Sequence, residues 1–180
     1  MELSKIVGKQ VYIRQLQNDD FENWCKANES KEFRVMCGES KDSKPPPTEK
    51  KKGKFNKMVR QESGLCFAII RRKDEAYLGS CRLHKLNMCD KNARLAIGLL
   101  SDYFGKGYGT DAMKCLLKFG FNELSLHRVE LRVLDFNKRG ISAYKKCGFK
   151  KEGVLRENAY IDGKYYDDII MSILESEFEK

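Results

Sequence analysis

The chain has 180 residues, a net charge of +9, 41% hydrophobic and 34% charged residues, which fits one soluble domain able to bury a core without disulfide or metal staples. No stretch approaches the roughly 18 apolar residues that cross a bilayer, and Met1 to Lys5 lacks a signal-peptide layout. The seven cysteines form no C-x-x-C pair and lie mostly in apolar runs, so reduced thiols in a cytoplasmic protein are expected, with no disulfide framework, zinc site or other metal.

In chain order, Gln10 to Leu16 alternates as a first strand, and Asn18-Asp19-Asp20 caps a short helix carrying Phe21, Trp24 and Cys25. Regularity then weakens through Pro45-Pro46-Pro47 and Lys50-Lys51-Lys52. Thr48 is placed to cap a basic amphipathic helix with Phe55, Met58 and Val59 inward. Residues 29–62 read as a mobile, basic, variable insertion within a single domain spanning 1–180. Between Lys31 and Gln61 stand ten Lys/Arg and four Asp/Glu, so +6 of the +9 lies there. Such a run is either a solvated face or a weak polyanion contact.

Beyond Gly64 the pattern is that of strands at Leu65–Arg71, Tyr77–Leu86 and Ala93–Leu100, the last almost wholly apolar. From Gly107 to Glu123 the period becomes helical, with Met113, Leu116, Leu117, Phe121 and Leu124 on one stripe. A strand over His127–Leu134 and a helix over Lys138–Cys147 follow, with Gly148 as its left-handed cap. Two closing strands, Lys150–Tyr160 and Tyr165–Leu174, meet at the turn Asp162-Gly163. The order implies a mixed α/β fold, a sheet with helices on both faces.

The segment Ser101 to Ala112 joins an apolar strand directly to an amphipathic helix and holds Gly105, Gly107 and Gly109 within five residues. Glycines allow close backbone approach and positive φ, and the free N–H groups of a helix start favour an anion. Lys106 adds a positive charge, so a phosphate or pyrophosphate suits the loop. The spacing is neither G-x-x-x-x-G-K-[ST] nor G-x-G-x-x-G, which excludes the Walker and dinucleotide readings.

Phe104-Gly105-Lys106-Gly107-Tyr108-Gly109-Thr110-Asp111-Ala112 resembles the acetyl-CoA loop of GNAT-superfamily N-acetyltransferases. It follows the branch that contains ribosomal-protein N-terminal acetyltransferases and spermidine acetyltransferases, with Phe104 in place of the family's Arg or Gln. Glu130-Leu131-Arg132-Val133, Asn137 to Phe149, Glu152 to Glu157 and Gly163 to Asp167 resemble that branch's later motifs in order. The resemblance implies a mostly antiparallel, twisted sheet of about seven strands. It implies acetyl-CoA as acetyl donor and a primary amine as acceptor, on a small molecule or a protein N-terminus, attacking the thioester directly. By the same resemblance, Phe104, Gly105, Lys106, Gly107, Tyr108, Gly109 and Thr110 grip the cofactor and a backbone N–H at Leu99 or Leu100 polarises the acetyl carbonyl. Asn137 binds the cofactor arm and Tyr144 protonates the leaving thiolate. Relatives often pair through the closing strands, so the resemblance allows a homodimer. Arg94 stands at the family's usual Glu position, and an arginine cannot act as a base, so the base is left unassigned and a polyamine acceptor disfavoured. The alternative class is a GNAT-like module that binds CoA or RNA without turnover, supported by Arg94 and the +6 segment.

Overall fold

The computed structural model describes residues 4–178. Eight strands form one sheet: β1 (Ile6–Val7), β2 (Val11–Gln15), β3 (Leu65–Arg71), β4 (Tyr77–Asn87), β5 (Asn92–Leu99), β6 (Arg128–Leu134), β7 (Lys150–Ile161) and β8 (Lys164–Leu174). Their spatial order is β1-β2-β3-β4-β5-β6-β8-β7. Every neighbouring pair is antiparallel except β5 and β6, which run parallel. The strand beyond the expected seven is the two-residue β1.

Alternation along the strands divides the core in two, because successive side chains leave opposite faces. On one face Val11, Ile13, Phe67, Ile69, Leu83 and Leu95 pack with α4 (Tyr108–Lys118), which continues as a wider turn over Phe119–Glu123, and α5 (Lys138–Lys146) lies beside it. The opposite face offers Tyr12, Leu16, Cys66, Ala68, Ile70 and Tyr77. It is covered by α1 (Phe21–Glu29), α2 (Lys31–Met36) and α3 (Thr48–Val59). Helices therefore lie on both faces. Among the described residues no helix is long and apolar enough to cross a membrane.

Within the segment read as a basic insertion, α2 and α3 join α1 in the sheet's second helical layer. Phe55 is 1% exposed and packs edge-on to Phe21 at 5.3 Å and against Trp24 at 5.4 Å. The buried Lys51 ammonium meets Glu29 Oε1 at 2.5 Å. The loop after α2 is also tied down, since Ser40 Oγ and the Lys41 N–H donate to the Asp162 carboxylate at 2.5 and 3.1 Å. Thr48 opens α3 but does not cap it, because Pro47 holds the cap position with no side-chain bond. Asp162 and Gly163 both have positive φ (49° and 81°), the conformation of the tight turn that joins β7 to β8.

Asp111 was part of the glycine-loop motif without an assigned purpose. Its carboxylate accepts the N–H groups of Lys9, Gln10 and Val11 at 3.0, 2.7 and 3.0 Å, fastening the start of α4 to the entry of β2.

Replacing Phe55 by Ala empties a fully packed aromatic site, which costs about 3–5 kcal/mol. Denaturant unfolding of F55A should show that loss in a single transition; a loss below about 1 kcal/mol would mean the layer is not part of the fold.

Candidate active site

Strands β5 and β6 pair at only three positions, Asn92 with Arg128, Ala93 with Val129 and Arg94 with Glu130. Past Arg94 the strands diverge, and the split opens a cavity of about 700 Å³. One side of the cavity is the glycine loop and the first turns of α4 and α5; the other is α2, through Phe33, Met36 and Cys37. The cavity therefore runs through the sheet from one helical layer to the other.

At the loop end, Gly107 has φ +84° and takes the cap position of α4, directly ahead of Tyr108. A Cβ there would be strained by that φ and would stand 3.3 Å from Gln10 Nε2. Gly105, also left-handed at φ +73°, has open space where a side chain would be. The first N–H groups of α4 lack helical acceptors and point along the axis into the cavity mouth. A glycine-lined helix start of this form fits the pyrophosphate of an acyl-CoA.

Eight of the sequence-predicted residues line the cavity: Leu99, Phe104, Gly105, Gly107, Gly109, Thr110, Asn137 and Tyr144. Three do not. The Lys106 ammonium donates to the Asp102 carbonyl at 2.8 Å, drawn back to its own loop. Tyr108 turns toward Tyr103, 6.2 Å between centroids, and toward Arg71. The Leu100 N–H donates to the Leu78 carbonyl at 2.8 Å, so it is committed to the β4 side and cannot polarise a thioester. Because N–H groups alternate along a strand, that of Leu99 points the other way, into the split.

At the opposite wall, Asn137 caps α5 by accepting the Gly140 N–H at 2.9 Å. Its amide nitrogen remains as a donor. Gly140 replaces a small side chain of the resembled motif, and a Cβ there would come within 2.8 Å of that amide. Tyr144 lies half-buried in the cavity wall. Burial pushes its phenol up to about 12, with the Cys37 and Cys147 thiols adding to the effect.

Arg94 sits at the crotch of the split, donating to Glu130 Oε1 from Nε at 2.9 Å and from Nη2 at 2.5 Å. Burial pulls the Glu130 carboxyl upward, but Arg94 and Arg128 outweigh it and hold the group below the usual carboxylate range. The position that carries an acid in the resembled family is thus half of an ion pair, and neither partner is a base. Asp168 is the one carboxylate on the cavity wall among the described residues.

Sequence reasoning missed Arg139 and the α2 residues. The Arg139 guanidinium stacks 3.7 Å from the Phe104 ring centroid and donates to Glu32 Oε1 at 2.9 Å. One side chain thereby straps α5, the glycine loop and α2 together. Phe33 lies over Gly98, where a Cβ would come within 2.3 Å of its ring.

The sequence model for the acetyltransferase (GNAT) domain matches residues 10–150. The chain belongs to the GNAT acetyltransferase family. Acetyl-CoA is the acetyl donor of that family. The N-acetyltransferase p20 of Bacillus licheniformis is 29% identical over 112 residues, 62% of this chain and 63% of that protein. The probable N-acetyltransferase YjcK of Bacillus subtilis is 26% identical over 178 residues, 96% of this chain and 98% of that one. Spermidine N-acetyltransferase from Vibrio cholerae, solved with CoA and spermine, superposes with a TM-score of 0.82 at 24% identity, covering 93% of this chain and 97% of that one. At that identity the likeness speaks for the fold.

A Gly107→Glu variant of this GNAT protein places bulk and negative charge at the start of α4. Calorimetry should show acetyl-CoA affinity reduced at least about tenfold, the equivalent of about 1.4 kcal/mol. Unchanged affinity would move the cofactor away from this loop.

Proposed function

We propose that this chain transfers the acetyl group of acetyl-CoA to a primary amine by direct attack within a ternary complex. The single observation that carries the reading is the split between β5 and β6, which joins a glycine-lined anion cradle on one face to the space under α2 on the other.

The reading gives each group one task. The helix start at Gly107, Tyr108 and Gly109 takes the pyrophosphate, and the Arg139 guanidinium stacked on Phe104 brings positive charge where the family pattern has Arg or Gln. The Asn137 amide holds the pantetheine arm. The Leu99 N–H faces the thioester oxygen and stabilises the charge that grows there; a lost donor of this kind costs about 10²–10³ in rate. The amine, after losing one proton, forms the N–C bond with the acetyl carbon. As the C–S bond breaks, the sulfur takes the Tyr144 proton, and the second proton of the attacking nitrogen returns to the Tyr144 phenolate directly or through water. With its pKa raised, the phenol stays protonated throughout the neutral and mildly alkaline range, so it is always able to donate. Arg94 ties β5 to β6 at the crotch of the split and takes no part in proton transfer.

Loss of a general acid costs about 10²–10⁴ in rate, so Tyr144→Phe should lower kcat by at least about a hundredfold while leaving acetyl-CoA affinity within about twofold. The sign of the pKa shift fixes a second outcome. A phenol at about 12 produces no falling limb in kcat between pH 6 and 10, and the wild-type rate should rise with pH as the amine deprotonates. A Y144F protein with wild-type kcat would remove the residue from the chemistry.

A further inference from the structure

A second recess, of about 180 Å³, opens on the α1–α3 side of the sheet. Its floor comes from the alternating side of β4 and β5, where Ser80 faces Gly98 and Arg82 faces Ala96 across the pair. Its roof comes from α1, α2, α3 and the turn after α2, through Asn28, Phe33, Arg34, Glu39 and Lys54. Phe33, Cys37, Ala96, Ile97 and Gly98 belong to the walls of both this recess and the large cavity. The two spaces therefore abut at the splayed end of β5, beside the position the proposed mechanism gives to the thioester.

The recess is unusually basic for the site of an amine. It carries Arg34, Lys54 and Arg82 against a single carboxylate, Glu39. Arg34 is 7% exposed, and its Nη1 donates to the Ser43 carbonyl at 2.5 Å and to Ser43 Oγ at 3.0 Å. Its buried Nε has no partner. A buried guanidinium nitrogen without an acceptor is costly, and it leaves the Arg34 charge incompletely compensated within the recess wall. Glu39 lies 3.8 Å from Arg34 Nη1, too far for a full hydrogen bond, and is half exposed. The local field is positive on the floor as well. Burial, followed by the charges of Arg82, Arg94 and Lys85, pushes the neighbouring His84 imidazole down to about 4.

A polyamine brings several positive charges and no negative one, so three cations in the recess repel it. A protein N-terminus presents a neutral amide beside its amine and leaves the guanidinium groups without an anion. An amino acid brings both signs on one small frame. We infer that this recess is the acceptor site and that it selects a small amino-carboxylate: the carboxylate lies against Arg34, Arg82 and Lys54, and the amine is directed to the shared wall of Phe33, Cys37 and Gly98, where the recess meets the cavity. Bidentate pairing of a guanidinium with a carboxylate gives both strength and orientation. The inference rests on the acetyl-transfer reading above. The amine enters as an ammonium, gives one proton to water, and attacks the acetyl carbon. The C–S bond breaks, Tyr144 supplies the thiol proton, and the second proton of the attacking nitrogen returns to the Tyr144 phenolate directly or through water.

The test is thiol release from acetyl-CoA by the full chain with three acceptor sets: free α-amino acids, the corresponding α-carboxamides, and spermidine. The amino acids should exceed their carboxamides in kcat/KM by at least about tenfold, and spermidine by more. Arg82→Ala should draw the acid-to-carboxamide ratio toward one, through KM for the acid, with acetyl-CoA binding retained as the check on folding. Lys54→Ala, on the exposed rim, should move the ratio the same way by about three- to tenfold. Preference for carboxamides or spermidine, or a ratio that both variants leave unchanged, would overturn the acceptor assignment alone. Acetyl-CoA binding with no thiol release from any amine would overturn acetyl transfer and the acceptor assignment together.

Discussion

The early end of pairing between β5 and β6 is the constraint on which the site depends. Two parallel strands in the middle of a sheet ordinarily keep their ladder for their whole length. Here the ladder stops after three pairs, at Arg94 and Glu130. The ion pair between those two residues ties the strands together at the last point where they meet. Beyond it, the N–H groups on one edge of β5 have no strand to bond. Unpaired backbone donors in a sheet interior are tolerated where a ligand takes them. A strand edge that in another fold would be a defect becomes a row of donors facing a substrate.

The split joins two surfaces that are chemically unlike. On the α4–α5 side, backbone donors, glycines and the stacked Arg139–Phe104 pair suit a long anionic cofactor. On the α1–α3 side, the space is small and its chemistry comes from side chains of the basic segment together with Arg82. The net charge of the chain is thus not only a property of its surface. Lys51 is consumed by Glu29 within the second layer, while Arg34, on the helix that faces Gly98, keeps a nitrogen free. The same segment completes the core and lines the acceptor side, so its sequence is constrained by packing at Phe55 and Met58 and by chemistry at Arg34 and Lys54.

Much of the fold was legible because the informative signals are local. The change of period at Gly107 and the Asp162-Gly163 turn both depend on residues adjacent in sequence, and both elements fall within a residue or two of their expected bounds. The glycine loop was legible for the same reason. What escaped depends on distant pairs. Arg139 meets Phe104 and Glu32 from positions far apart in the chain, and nothing local to α5 announces it. Leu100 and Leu99 are equivalent in sequence, and only the register with β4 shows which N–H is already taken. Within residues 29–62 the stripe of Phe55, Met58 and Val59 was legible, but not the surface it packs on. The signal for a second layer was Trp24, Phe55 and Met58 together, which face one another only after folding.

The measurement that bears most directly on this account is a crystal structure of the wild-type chain with CoA. The account predicts the pyrophosphate on the N–H groups between Gly105 and Gly109, and the pantetheine arm lying in the split between Leu99 and Asn137. The thiol should then be within hydrogen-bonding reach, about 3–3.5 Å, of Tyr144 Oη. CoA seated elsewhere, or β5 and β6 closed into a continuous ladder past Arg94 and Glu130, would contradict it.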